Sequence, residues 1–378
     1  MFLVRRITLC LCLLLPQFAF AKSDLESRRE QIIQPEMVFA SYVQGSYNYL
    51  VRSPYFVSDD FNRVNDIAKN GVRLQQVFLL ASYLQEGLGG YAEVLVGQDA
   101  YYLADSGWNA DVFNLQTIGL VVPETYLQYR HQSFALKAGF LSALAGLESH
   151  ISTRDTNFSR SILYGDAQPG SHVSLRAIQH LSDSFSVIMG LCNGWSTVRH
   201  PGQLNALELG VTVDLAESFT LTVDGFLTPA YLSDATQSGP EGVRRLFDVY
   251  GTYQVTKPLS IAWNLDVGTQ SKASLPGNTM GGATWAGMSG YVNYQFSDRW
   301  RTSVRGEIFN DSDGYRTGIR QSLKEMTLTL GYSPIQHLEM MVEARHDFSN
   351  VDSFIDQNGR NRNNNQQSFA LEALYQFV

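Results

Sequence analysis

From Glu36 to the last residue, apolar and polar positions alternate in short runs. In 218–227, Phe219, Leu221 and Val223 share one face, and Thr220, Thr222 and Asp224 share the other. In 259–269, Ile261, Trp263, Leu265 and Val267 oppose Ser260, Asn264 and Asp266. In 325–333, Met326, Leu328, Leu330 and Tyr332 oppose Glu325, Thr327 and Thr329; in 337–348, Leu338, Met340, Val342 and Ala344 oppose Glu339, Glu343, Arg345 and Asp347. A period of two with one apolar face marks a strand with one side in an apolar medium. The pattern predicts sixteen strands, at 36–49, 71–83, 89–98, 120–130, 134–145, 170–180, 185–195, 204–214, 218–227, 246–255, 259–269, 284–295, 299–309, 325–333, 337–348 and 367–378.

A soluble β-sandwich alternates in the same way, so two further features carry the distinction. The runs are about 10 residues long, enough to cross a bilayer when tilted, whereas strands of soluble sheets average roughly 5–6. The connections also alternate in length. Long ones fall at 50–70, 99–119, 146–169, 196–203, 228–245, 270–283, 310–324 and 349–366. Tight turns fall between them, near Gln85-Glu86-Gly87, His131-Gln132, Ser182-Asp183, Glu217, Thr256-Lys257-Pro258, Ser297-Asp298 and Pro334-Ile335. The fold class expected is all-β: a transmembrane antiparallel up-and-down β-barrel of about sixteen strands, with short periplasmic turns and long extracellular loops.

The N-terminus fits export. Arg5 and Arg6 precede an apolar run from Ile7 to Leu15, and Ala19-Phe20-Ala21 forms a small-residue cleavage site. Residues 1–21 therefore read as a signal peptide. Pro16 ends the run well short of the roughly 20 residues of a spanning helix, and Leu11 before Cys12 is too large for lipoprotein processing. Residues 22–35 read as a polar periplasmic lead-in and 36–378 as the outer-membrane barrel. Losing Arg5 and Arg6 moves the formal charge from −8 to −10. Cys10 and Cys12 leave with the leader, so Cys192 has no intrachain disulfide partner. An exported chain without cross-links needs another constraint, which a closed hydrogen-bonded barrel supplies.

Composition adds little that conflicts. Aromatics make up 12% of the chain, with 19 Tyr and 21 Phe, and suit both strands and interfacial girdles. Net acidity without a basic stripe excludes nucleic acid as a partner. No Cys/His set has zinc spacing and no Gly-rich phosphate loop occurs, so no cofactor is expected.

The chain resembles a known family through motifs spread along it. They are Val122-Pro123-Glu124-Thr125-Tyr126-Leu127-Gln128-Tyr129, Leu136-Lys137-Ala138-Gly139-Phe140, Asn157-Phe158-Ser159-Arg160-Ser161, Gln168-Pro169-Gly170-Ser171-His172, Asn193-Gly194-Trp195 and Phe309-Asn310-Asp311-Ser312-Asp313-Gly314-Tyr315-Arg316-Thr317-Gly318. Leu338 through Glu343, with Arg345, Asp347 and Ser349, complete the set. Their order is similar to that in the OmpL-like β-barrel porins of Gram-negative outer membranes. The resemblance implies an outer-membrane channel and brings no catalytic residues. Phe369, Leu371, Ala373, Tyr375 and Phe377 share a face of the last strand and resemble the C-terminal signal read by the barrel-assembly machinery, although Val378 follows the final aromatic.

In porins a long loop often folds into the lumen. The longest here, 146–169, carries Glu148, His150, Arg154, Asp155 and Arg160, a candidate constriction of opposed charges. The polar strand faces carry Arg176, Asp224, Asp266, Arg301, Arg305, Glu307, Glu325, Glu339, Glu343, Arg345 and Asp347. Because a basic residue facing lipid at mid-bilayer costs roughly 2–4 kcal/mol, these are expected to line a water-filled lumen.

The expected function is passive diffusion of small hydrophilic solutes or ions, without enzymatic activity. Besides those solutes, the expected partners are outer-membrane lipid and the assembly machinery. The oligomeric state stays open in the sequence; general porins of this size are often trimers, so a homotrimer is an analogy and not a derivation. A structural or adhesive barrel presenting its loops is the alternative. A barrel hydrolase is a weaker one: Asn193-Gly194-Trp195-Ser196 lacks the second Gly of a nucleophile elbow, and His172 and Ser174 have no evident acid partner. Asp311, Asp313 and Gly314 lack the later carboxylates of an EF-hand and read as a turn capped by side-chain hydrogen bonds.

Overall fold

The computed structural model describes residues 36–51, 70–105, 119–196, 204–215, 218–230, 242–277, 279–355 and 362–377. The expected leader and lead-in lie outside them, as does the turn at Glu217.

Alternation of apolar and polar residues produces sixteen long strands: β1 (Glu36–Val51), β2 (Gly71–Gln85), β3 (Leu88–Val96), β4 (Thr125–His131), β5 (Phe134–Ser142), β6 (Ser171–Ser182), β7 (Phe185–Cys192), β8 (Ala206–Leu215), β9 (Phe219–Ala230), β10 (Gly242–Thr256), β11 (Leu259–Leu275), β12 (Thr279–Ser297), β13 (Trp300–Asp311), β14 (Gln321–Ile335), β15 (Leu338–Ser349) and β16 (Asn365–Phe377). Each pairs antiparallel with the next. β1 then pairs with β16, Ser41 opposite Phe377 and Val51 opposite Gln367, which closes the cylinder. Closure leaves no sheet edge to be satisfied in lipid.

The strand expected at 120–130 is interrupted. Leu120–Val121 pairs with Val96 and Leu95, and pairing resumes with Thr125 opposite Ala92. Two residues of β3 thus face three on the other side, a bulge. Pro123 lies inside it, where its missing N–H leaves no donor for the ladder. The turn expected at Pro334-Ile335 lies instead at Gln336-His337, because β14 carries Pro334 through a register shift between Tyr332 and Ile335. The turn after β2 is at Glu86-Gly87, both with positive φ (51° and 85°), as a primed hairpin turn requires. A Cβ on Gly87 would meet the Arg130 carbonyl oxygen at 2.2 Å.

Several long connections have structure that the alternation did not reveal, among them a short pairing of Phe354–Ile355 with Arg362–Asn363. After β3 the chain forms α1 (Gln98–Asp105). The expected loop 270–283 is largely an extension of the β11–β12 hairpin, with Ala273–Leu275 paired to Thr279–Gly281. Its arms satisfy each other's backbone above the bilayer, so they need no apolar face.

The outward positions form an apolar belt. On β14, Met326, Leu328 and Leu330 point out, while Glu325, Thr327 and Thr329 are buried inside. Aromatic residues ring the turn end: Phe39, Tyr83, Tyr129, Phe185, Tyr253, Phe296, Trp300, Tyr375 and Phe377 are all exposed there. This is the interfacial girdle of a membrane barrel. Leu328→Arg, at the middle of an outward face, is expected to cost about 2–4 kcal/mol in lipid-based unfolding, and Val342→Arg the same. A loss below about 1 kcal/mol would mean that this face is not in the bilayer.

Candidate functional site

The loop that follows β5 turns into the barrel. Gly146 makes this possible with φ +100°, packed so closely on Gln168 that a Cβ would lie 2.1 Å from its Oε1. The loop has one 3-10 turn at Ser152–Arg154 and one π turn at Leu163–Ala167, and is otherwise irregular. Such a backbone leaves N–H groups without intrasegment acceptors, and buried ones must find partners. The barrel wall provides them as carboxylates. Glu343 Oε2 and Oε1 accept from the N–H groups of Phe158 (2.8 Å) and Ser159 (3.1 Å). Glu307 accepts from Ile162 (2.7 Å) and Leu163 (2.6 Å). Asp248 accepts from Gly146 (2.8 Å) and Glu208 from Leu144 (2.7 Å). A carboxylate that carries its charge makes such bonds charge-assisted, the stronger kind. Apolar side chains add to the seating: Ile151 packs with Tyr42, Phe78 and Leu95, and Ile162 and Leu163 pack with Trp285, Phe309 and Leu323.

All five residues singled out on this loop lie inside the cylinder, and they are paired rather than opposed across a gap. Glu148 accepts from Arg305 (2.8 Å), the Tyr291 hydroxyl (2.9 Å) and the Ser161 N–H (2.6 Å). Asp155 lies 3.0 Å from Arg160 Nε and accepts from the Ser149 N–H. His150 is turned toward β3, 2.6 Å from Glu93, and Arg154 stands beside Tyr91 and Glu93. A cavity of about 30 Å³, room for a water or two, separates the loop from β10–β12 and is lined by Glu148, Arg154, Asp155, Thr252, Ser260 and Tyr291.

The eleven residues expected on the inner face all lie there; ten are buried and Glu339 is partly exposed. They meet the loop and one another. Glu148, Arg305, Glu325, Arg345 and Asp347 form a continuous chain, with Arg305–Glu325 at 2.6 Å, Arg345–Glu325 at 3.5 Å and Arg345–Asp347 at 2.8 Å. Arg301 pairs with Glu339 and also donates to the Thr156 carbonyl (2.7 Å). Arg176 pairs with Glu208 at 2.7 Å. Asp224, Asp248 and Asp266 stand in register on three adjacent strands.

Several inner-wall acids escaped the sequence reading: Glu93, Glu208, Asp248 and Glu372. Along its own strand each alternates with apolar or small inner residues, such as Tyr91 and Leu95 around Glu93. Strand parity would have found them, since the outer face of β16 (Phe369, Leu371, Tyr375) implies Glu372 inside. His172, Cys192 and Glu208 place potential ligand atoms within 4.8 Å of one another. Here the Glu208 carboxylate already has its countercharge in Arg176. Asp311 accepts from the N–H groups of Tyr315, Arg316 and Thr317 (2.8–2.9 Å), the capped turn expected of 310–324.

Burial pushes the Asp155 carboxyl up to about 7, against the pull of Arg160; Glu148 pushes the same way and Arg305 opposes it. A carboxyl raised above its unfolded value of about 3.9 stabilises the packed loop fully below about pH 4. That contribution is lost as pH rises through about 7. The loop is therefore expected to seat more firmly toward acid pH, lowering conductance between about pH 8 and pH 5. Asp155→Asn should flatten this dependence; an unaltered profile in the variant would exclude Asp155 as its source.

A closed sixteen-strand cylinder, apolar outside, charged inside and partly filled by its own third loop, defines an outer-membrane porin-type barrel. The chain belongs to the family described as Putative beta-barrel porin-2, OmpL-like, which matches residues 38–377. Among solved structures it is similar to the outer membrane channel DcaP of Acinetobacter baumannii, with 13% identity, 91% of this chain and 97% of that one covered, and a TM-score of 0.62. An anion-selective porin from Comamonas acidovorans gives 8% identity, coverage of 91% and 100%, and a TM-score of 0.60. OmpT of Vibrio cholerae in its trimer form gives 12% identity, coverage of 91% and 99%, and a TM-score of 0.56. At these identities the likeness is one of fold. A search by sequence among curated proteins finds no match.

Proposed function

We propose that the barrel conducts small hydrophilic solutes or ions passively across the outer membrane, with the third loop as its constriction and the inner-wall charges as its lining. The observation that carries this reading is the loop itself, held within the cylinder by wall carboxylates at several points. Family and fold point to a channel rather than an enzyme. His172 and Ser174 share the buried inner face, and Ser174 Oγ is bonded to the Cys192 thiol at 3.4 Å.

The leader is cleaved after Ala21, the last strand serves the assembly machinery, and the barrels associate as trimers, as the OmpT neighbour does. Planar-bilayer recording of refolded protein tests the reading: discrete conductance steps are expected, and their absence would overturn it. The dense seating of the loop favours one alternative, a plugged barrel that presents its outer loops. Such a barrel would keep heat-modifiable gel mobility while passing no current.

A further inference from the structure

Arginines on the inner wall are matched by acids: Arg176 by Glu208, Arg301 by Glu339, Arg305 by Glu148 and Glu325, Arg345 by Asp347. At the extracellular mouth two arginines break that rule. Arg244, near the start of β10, lies on the same face as the buried Leu246 and Asp248 and opposite Gln270 of β11. Arg316 lies on the turn that Asp311 organises. Trp195, just past β7, joins them: Arg244 Cζ is 4.9 Å and Arg316 Cζ 5.6 Å from its ring centre. Arg316 also lies 5.3 Å from the Trp285 ring, and Arg244 lies 5.4 Å from that of Tyr315.

Their hydrogen bonds go to neutral acceptors. Arg244 Nε donates to Gln270 Oε1 at 2.8 Å and one Nη to the Tyr315 hydroxyl. Arg316 Nε donates to the Asp166 carbonyl oxygen on the third loop. The other Nη of Arg244 and both of Arg316 have no partner among the described residues, and both side chains are partly exposed. The acids nearest Arg316, Asp166 and Asp311, attract its charge, but neither forms an ion pair with its guanidinium among the described residues. Asp311 is committed to backbone N–H groups, and burial pushes the Asp166 carboxyl up to about 7, against the pull of Arg316. Stacking on aromatic rings holds the guanidiniums in place but leaves their charge and their outer N–H groups free. A guanidinium fork fits a carboxylate or a phosphate group. Because the pair is on the inner side of the wall, that anion comes from solution and not from lipid.

We propose that Arg244 and Arg316, braced on Trp195, form an oxyanion-capture site at the extracellular mouth that takes carboxylate- or phosphate-bearing solutes before they meet the third loop. Capture itself stands independently; delivery into the barrel rests on the channel reading. Titration calorimetry of the refolded full chain with sodium acetate and, separately, inorganic phosphate tests capture and tells the two groups apart. Saturable binding of at least one is expected, weakened about tenfold or more by Arg316→Gln and less by Arg316→Lys, with heat-modifiable mobility confirming that each variant is folded. In bilayers under a KCl gradient, Arg316→Gln should shift the reversal potential toward cation preference. Equal binding by wild type and folded Arg316→Gln, or no saturable binding of either anion, would overturn the site. Saturable, Arg316-dependent binding without conductance would support the site and sink the channel reading instead.

Discussion

Deleting residues 150–160 is expected to raise single-channel conductance several-fold over that of the full chain. This segment holds much of what fixes the third loop across the lumen. Through it Phe158 and Ser159 reach Glu343, Ser152 reaches Gln44 at 2.9 Å, Arg305 reaches the Ser159 carbonyl at 2.6 Å and Arg345 reaches the Arg160 carbonyl at 2.6 Å. The wall groups released by the deletion are charged or strongly polar, so water hydrates them and the vacated space fills with solvent. A cylinder of about sixteen strands is wide enough for an aqueous channel once nothing occupies it. The measurement is recording in planar bilayers, with heat-modifiable mobility as the control for folding. Unchanged conductance in a folded variant would put the loop outside the conduction path and end its role as the constriction.

The second large effect is on stability. Arg305 is fully buried and holds both Glu148 and Glu325, themselves almost without solvent contact. Replacing it with Met strips buried Glu148 of its ion pair and leaves Glu325 only the more distant Arg345 at 3.5 Å, and breaking a buried pair in this way costs about 3–5 kcal/mol. The loss should appear as a lower urea midpoint for unfolding from lipid vesicles. Adding Glu325→Gln and Glu148→Gln to Arg305→Met should recover much of it, because the orphaned charges are then gone. A single-variant loss below about 1 kcal/mol would show that these groups are hydrated in the folded barrel.

The strands were legible because the bilayer imposes one rule on every outward position: each must be apolar. Met326, Leu328 and Leu330 obey it without reference to anything distant in the chain. Exceptions arise where backbone chemistry intervenes, as at Pro123, which opens a bulge, and Pro334, which is absorbed by one. The inner face follows no single rule. Glu93 stands between Tyr91 and Leu95 because its partner is His150 on the third loop, and only the folded chain brings them together. The third loop was visible as a length and a set of charges. Its seating was not, since Glu343 and Phe158 are 185 residues apart and Glu307 and Ile162 are 145 apart. The mouth arginines were equally hidden: Arg244, Trp195 and Arg316 lie in three separate connections or strand ends, and no local pattern links them.

The wall carboxylates grip the third loop by its main-chain N–H groups. Any residue other than proline offers that handle. Side chains at positions such as Phe158 and Ser159 can therefore be exchanged without undoing these particular attachments. Docking and solute preference are to that extent separately adjustable. A barrel built this way can acquire a new filter by changing a few loop residues while its scaffold stays as it is.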